Sequence, residues 1–186
     1  VTNIEVCNGD AIAVTFTGTE PFTNYVWTNS VTTIGLAASG NGDIASFNGV
    51  NNGTTVVVSN LTVTPSLNGC TGTTENFTIT VNPTEDATFT LTDYCEGATN
   101  SATITGTTGG TFTFNPVPTD GATIDGSTGE ITDGVGGTTY TVEYTTPGAC
   151  PDALTQDVLV KPIPTVDPVT NIEVCNGDAI AVTFTG

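Results

Sequence analysis

Histidine, arginine and methionine do not occur in this sequence, and a single lysine, Lys161, stands against nineteen acidic residues, a net charge of −18 over 186 residues. Each absence closes a class of function. Proteins that bind nucleic acid displace counterions from phosphates with lysine and arginine, and here there is one such side chain. A Ser-His-Asp or Cys-His arrangement needs an imidazole base. The usual zinc site needs histidine or clustered cysteine, and the five cysteines lie far apart in sequence. No apolar run approaches the roughly 18 residues of a membrane span. Charged residues make up 11% of the chain, against roughly 25% in an ordinary soluble domain. With neither an initiating methionine nor an apolar leader, the sequence reads as a mature or excised segment. What is abundant is threonine, about a fifth of all positions, together with 22 glycines and 10 prolines; this is the composition of strands and turns.

The chain repeats itself. Residues 1–18, VTNIEVCNGDAIAVTFTG, recur without a difference as residues 169–186, so that Cys7 and Cys175 lie 168 positions apart. Identity over eighteen residues points to a recently copied unit or to one kept uniform by recombination, and the sequence reads as one full unit plus the opening of the next, a window on a longer array. A weaker repeat lies inside the unit. Cys7-Asn-Gly-Asp and Thr15-Phe-Thr-Gly-Thr19 align without a gap on Cys95-Glu-Gly-Ala and Thr103-Ile-Thr-Gly-Thr107, 88 positions on, and the next copy of the motif, at Cys175, follows 80 positions later. Phe77-Thr-Ile-Thr-Val-Asn-Pro83 likewise corresponds to Asp157-Val-Leu-Val-Lys-Pro162. The expected organisation is a domain over 1–83, a related domain over 84–168 ending in a proline-rich joint, and the start of the next repeat over 169–186.

Each expected domain has one cysteine near its start and one near its end. This placement predicts the intradomain disulfides Cys7–Cys70 and Cys95–Cys150, leaving Cys175 unpaired or paired with a residue outside this chain. Disulfides imply an oxidising compartment, hence the cell exterior.

Apolar residues alternate with threonine or alanine at Ile12, Val14 and Phe16, at Phe77, Ile79 and Val81, and at Tyr140, Val142 and Tyr144. A period of two means half-buried strands. Asn-Gly pairs beginning at Asn8, Asn41, Asn48, Asn52 and Asn68, and Asp-Gly pairs at Asp120, Asp125 and Asp133, predict tight turns with glycine at positive φ. No helical period is present. The expected class is all-β, two tandem immunoglobulin-like sandwiches of about seven short strands each, with Trp27, the only tryptophan, in the core of a middle strand. Proline in the joints Asn82-Pro-Thr-Glu-Asp86 and Lys161-Pro-Ile-Pro-Thr-Val-Asp-Pro168 predicts stiff connections.

Cys7-Asn-Gly-Asp, Tyr25-Val-Trp-Thr28, Asn68-Gly-Cys70-Thr-Gly and Phe77-Thr-Ile-Thr-Val-Asn-Pro83 resemble the PKD-like domains of very large surface proteins of the Bacteroidota. Gly126-Ser-Thr-Gly-Glu-Ile-Thr132 and Gly136-Gly-Thr-Thr-Tyr-Thr-Val142 are similar to immunoglobulin-like repeats of the same proteins. The resemblance implies giant adhesins or surface filaments, usually exported by the type IX route, and brings no catalytic residues with it. The expected function is therefore a structural repeat of an extracellular stalk or filament at the bacterial surface, with adhesion or gliding motility as the role of the whole protein. The alternatives are a carbohydrate-binding module or spacer domains of a large exported enzyme. The expected partners are adjacent repeats of the same chain, other copies of the filament, and an unidentified surface or glycan ligand. No catalysis is expected: the carboxylates are dispersed, and no Asp-Thr-Gly occurs. No cofactor is expected either, with Ca²⁺ as the one candidate ion. Asp120, Asp125 and Asp133, with Glu130 nearby, are its candidate ligands, and Glu85, Asp86 and Asp167 sit at the joints. None has EF-hand spacing, and the Asp-Gly pairs are explained equally well as turns.

Overall fold

A computed structural model describes residues 1–167 and 172–184. The protein is all-β, its one helical element among the described residues being a single 3₁₀ turn at Thr32–Ile34. The chain divides into two compact units. The first takes in Val1–Thr88, Ile104–Thr111 and Thr145–Leu154; the second takes in Phe89–Thr103, Phe112–Tyr144 and the chain from Thr155 onward.

The first unit is built on β1 (Ile4–Cys7), β2 (Ala11–Val14), β3 (Asn24–Asn29), β4 (Ser39–Asn41), β5 (Ile44–Asn48), β6 (Val57–Leu67), β7 (Cys70–Thr71) and β8 (Glu75–Asn82). One sheet runs β1-β8-β6-β3-β4, with β7 folded back on β6, and the other is the pair β2-β5. β1 lies parallel to β8, Ile4 beside Ile79 and Cys7 beside Asn82. The alternation seen in the sequence sets the pairing of the two faces. Ile12 and Val14 from one sheet meet Leu61, Val63, Phe77, Ile79 and Val81 from the other, and Trp27 is buried among them. Leu61, Ile79 and Val81 are fully enclosed; each such side chain contributes roughly 1.5–3 kcal/mol by leaving water. This is the immunoglobulin-like sandwich expected from the sequence.

One buried polar cluster closes the core. Asn29 Nδ2 donates to the carbonyls of Val31, Leu36 and Ala37, and Asn29 Oδ1 accepts from the Val31 amide and the Ser59 hydroxyl. The loop after β3 thus finds partners for its backbone where no strand is available to supply them.

The second half of the chain contributes β9 (Phe89–Thr90), β10 (Tyr94–Cys95), β11 (Thr103–Ile104), β12 (Thr111–Phe114), β13 (Thr123–Ile124), β14 (Ile131–Thr132), β15 (Thr139–Thr145) and β16 (Ala153–Lys161). Its main sheet runs β10-β16-β15-β12, beside the pairs β9-β11 and β13-β14. β10 is parallel to β16, with Cys95 opposite Lys161. The core of the second unit is aromatic. Phe89, Phe112 and Tyr144 form a triangle with ring centroids 4.6–6.0 Å apart, and Phe114 stacks at 5.4 Å on Tyr140; such pairs contribute about 0.5–1.5 kcal/mol beyond their area.

The predicted glycine turns divide into two kinds. Gly9, Gly42, Gly69 and Gly121 take positive φ, and Asn68 joins its glycine there at φ 52, as a two-residue hairpin turn requires. Gly49, Gly53, Gly126 and Gly134 do not. A Cβ on Gly49 would come within 3.2–3.4 Å of Ile12, Val81 and Val6, so this glycine serves close approach to the core rather than a turn.

The identical segments differ in structure. Residues 4–7 and 11–14 are strands, whereas their copies within 172–184 form none. The local turn is kept in both. The Cys7 amide donates to Asp10 Oδ2 and the Asp10 amide to the Cys7 carbonyl, and Cys175 and Asp178 repeat both bonds at 3.2 and 3.1 Å. The turn is encoded locally; the strands are made by their partners.

Candidate functional site

The chemistry that distinguishes this surface is covalent. Cys7 ends β1 and enters the Asn8-Gly9 turn, which is tied down at every residue. The Asn8 amide donates to the Asn82 carbonyl, Gly9 to Gly49, and the Asn51 amide to Asn8 Oδ1. Asn51 Nδ2 donates to the Val81 and Thr55 carbonyls. Cys7 is bonded to Cys150, with 5.5 Å between the Cα atoms and 143 residues between them in sequence. Cys150, by sequence a residue of the second half, belongs to the first compact unit.

Cys150 lies in a short loop closed on itself, since the Thr146 amide donates to the Asp152 carbonyl and the Asp152 amide to Thr146 Oγ1. That loop grips residues 85–88. The Glu85 amide donates to the Cys150 carbonyl, the Gly148 amide to Glu85 Oε2, and the Ala87 amide to Asp152 Oδ2. A side chain at Gly148 would fall on the Glu85 carboxylate. From the other side the Thr107 amide donates to the Asp86 carbonyl at 2.7 Å, the Asp86 amide to Thr107 Oγ1, and the Thr105 and Gly106 amides to the Thr88 carbonyl. Asp86 caps its own turn by accepting from the hydroxyl and amide of Thr88, which hold its carboxyl below the usual aspartate value. Within the first unit, residues 85–88 are therefore held by a hydrogen bond at nearly every residue, beside the disulfide.

This corrects the predicted pairing. The structure forms neither Cys7–Cys70 nor Cys95–Cys150; Cys70, Cys95 and Cys175 are free and exposed. Cys7 lies beside the last residue of β8, whereas Cys70, in β7 and opposite Leu67, lies five residues before its first. Eight strand residues at about 3.3 Å each put the two cysteines on the order of 25 Å apart, whereas a bridge needs Cα atoms within about 7 Å. Cys95 and Cys150 are separated in the same way by the length of β16. The expectation took one cysteine at each end of a domain sequence as neighbours, but in a sandwich whose first strand is parallel to its last they occupy opposite ends of the sheet.

The candidate Ca²⁺ ligands are not brought together. Among the described residues no three histidine, cysteine, aspartate or glutamate side chains gather as a metal site. Asp120 accepts from the Ala122 amide and, at 2.6 Å, from the Tyr140 hydroxyl. The Tyr140 bond is the chief reason its carboxyl titrates below the usual range, the Ala122 amide the second. Asp125 accepts from the Thr128 and Ser127 amides and the Thr128 hydroxyl, with the same consequence. Asp133 takes a left-handed turn conformation at φ 55. The Asp120 and Asp125 carboxylates bind backbone amides of their own turns, as aspartates in turns do. Lys161 sits 3.9 Å from Asp93, an exposed pair of little energetic weight. Of the clamp residues, Glu85 was marked in the sequence by its place at a joint and Thr107 by its place in the internal repeat, while Gly148 carried no signal.

One groove is lined by Cys70, and another lies next to Cys95. The former, of about 500 Å³, lies in the first unit and is lined by Val1, Phe16, Tyr25, Leu67, Cys70 and Gly72 among others. The other, of about 470 Å³, lies in the second unit beside Tyr94, Glu96, Gly97 and Ala98, the turn that follows Cys95.

No family model and no curated protein matches the chain. Solved structures do. Mouse cadherin-23 EC22-24 aligns with 87% of this chain and 62% of its own, at 12% identity and a TM-score of 0.36. The insect immune protein hemolin aligns with 88% and 45%, at 14% identity and 0.37. The fibronectin(III)-like modules of Clostridium thermocellum CbhA align with 87% and 91%, at 17% identity and 0.39. The chain thus spans 62% and 45% of the first two. At these scores the fold stands on the strand pairing itself, and nothing functional passes from these proteins to this chain. No helix among the described residues is long and apolar enough to cross a membrane.

Proposed function

We propose that the chain is a structural repeat unit of a long extracellular stalk or filament of a bacterial surface adhesin, of the kind that PKD-like repeats build in the Bacteroidota, and that it carries no catalysis of its own. The observation behind this reading is the recurrence of residues 1–18, letter for letter, at 169–186. A repeated chain of small sandwiches gains length with each added unit. The disulfide and the hydrogen-bonded clamp on residues 85–88 support it, because a spacer that transmits force needs its connections fixed and an exported chain can be oxidised. The net charge of −18 keeps neighbouring arrays apart and soluble. Adjacent repeats of the same chain are the first partners; other copies of the filament and a surface or glycan ligand follow.

Immunogold labelling of native cells with antibodies against this chain tests the reading. Gold placed at intervals along extended surface fibres is the expected result. Label confined to the cytoplasm, or one particle per secreted enzyme molecule, overturns it. The glycan-binding alternative has one observation in its favour, Phe22, which is 94% exposed and held at φ 64; a glycan array on the purified chain and on Phe22→Ala decides it.

A further inference from the structure

The Cys7–Cys150 bond has a counterpart waiting in Cys70 and Cys95. Cys95 stands where Cys7 stands. Each is the last residue of an early strand parallel to the closing strand of its half, β1 beside β8 and β10 beside β16, with Cys7 in register with Asn82 and Cys95 with Lys161. The next amide donates to the closing strand in both, Asn8 to Asn82 and Glu96 to Lys161, each at 2.9 Å. Both are followed by the same tight turn, Asp10 donating to Cys7 and Ala98 to Cys95, with Gly9 and Gly97 at positive φ. Cys70 in turn stands where Cys150 stands, in the connection from the penultimate long strand to the closing one, β6 to β8 and β15 to β16.

From these equivalences, and resting on the reading of the chain as one unit of an array, we infer that Cys95 forms a disulfide with Cys70 of the following 168-residue unit, and that Cys70 is the acceptor for Cys95 of the preceding one. The chain lengths agree. Cys7 and Cys150 are 143 residues apart. Cys95 and the next unit's Cys70 are separated by 168 less the 25 residues from Cys70 to Cys95, which is again 143. The surroundings agree as well. Val1 and Cys70 line the same groove, and Val1 is the residue at which a preceding unit would enter, since its copy, Val169, follows Pro168. Cys95 lies beside Lys161, from which the chain leaves its last strand. The occupant assigned to the groove around Cys70 is thus the Cys95-Glu96-Gly97-Ala98 turn of the preceding unit. Both thiols are exposed and free in the single unit, as halves of different bridges must be. Cys175, the copy of Cys7, pairs by the same rule with Cys150 of its own unit. Closing the bond removes one proton and one electron from each thiol as the S–S bond forms. A disulfide oxidant, either a small-molecule disulfide or that of an oxidoreductase, accepts both and leaves as two thiols.

The test uses the full chain continued past Gly186 by residues 19–186 again, in two variants. The first carries Cys70→Ser in the leading unit and Cys95→Ser in the trailing one, so that only the inferred pair remains at these positions. The second carries the reverse substitutions. Both are oxidised with glutathione disulfide, isolated as monomers, alkylated and digested without reduction for mass spectrometry. The first variant is expected to yield a Cys70–Cys95 linked peptide together with the Cys7–Cys150 bridge and one alkylated cysteine, the last in the chain. The second is expected to yield no Cys70–Cys95 link and three alkylated cysteines. Alkylated Cys70 and Cys95 in the first variant, a Cys70–Cys95 link in the second, or absence of the Cys7–Cys150 bridge each overturns the inference.

Discussion

Removing the Cys7–Cys150 bond should loosen the first unit. The bond closes a loop of 143 residues, for which the chain-entropy relation gives about 5 kcal/mol at 25 °C; native disulfides in small domains are typically worth about 2–5 kcal/mol when removed. The first unit is about the size for which 1 kcal/mol moves the midpoint by roughly 4 °C or more. The Cys7→Ser, Cys150→Ser double variant, or the native chain under reductant, should therefore melt at least about 8 °C lower in calorimetry, in the transition reported by Trp27, which is buried in this unit. Hydrogen exchange should quicken at the amides of Glu85 and Gly148, which the Cys150 loop holds, while those of β6 in the sheet centre change least. A thiol count comes first: the native chain should show three reactive thiols, Cys70, Cys95 and Cys175, where the pairing expected from sequence leaves one. A count of one, or a midpoint that reductant does not move although all five thiols then titrate, would refute the assignment. The double variant should be indifferent to reductant.

Asn29→Ala removes the side chain that serves three carbonyls, the Val31 amide and the Ser59 hydroxyl, and should cost about 2–4 kcal/mol in denaturant titration; a loss under 0.5 kcal/mol means that water replaces it freely. Gly40→Ala places a methyl group into the ring of Trp27 and should cost about 1–3 kcal/mol, with a shifted tryptophan emission; an unchanged spectrum and midpoint count against the packing described. The Asp125 carboxyl is held below the usual aspartate value first by the Thr128 amide and then by that of Ser127, so the native state binds fewer protons than the unfolded one. Its stabilisation is complete above the ordinary aspartate range and is lost as the pH falls below it, near about 3.9. Asp125→Asn should accordingly melt below the native chain at pH 7, and the gap should close on acidification; a gap that widens below pH 4 reverses the sign and the argument.

Strands and core were legible because they follow from period: Ile12, Val14, Phe77, Ile79, Val81, Tyr140, Val142 and Tyr144 are all buried as the alternation required. The Asn8, Asn41 and Asn68 turns were legible because their chemistry is local. The disulfide was not, since which ends of a sandwich adjoin depends on the direction of β1 relative to β8, and no residue of β1 announces that direction. The glycine of Asn48-Gly49 was misread for a related reason. Its constraint comes from Ile12, Val6 and Val81, residues distant in sequence. The aspartates of the second half were read as candidate ligands, but Asp120 is satisfied by Tyr140, twenty positions away.

The parallel alignment of β1 with β8 decides how the sandwich answers a pull on its ends. Tension drawn backward through Val1 and forward through Asn82 moves the two strands past one another along their common axis. The four register pairs from Ile4–Ile79 to Cys7–Asn82 are then stressed together, in shear, and the ladder cannot open one rung at a time as a hairpin pulled from its open end does. β10 and β16 have the same sense. Beyond each ladder the strain reaches a cysteine at the strand's end, so that in the first unit the last thing to yield is a covalent bond.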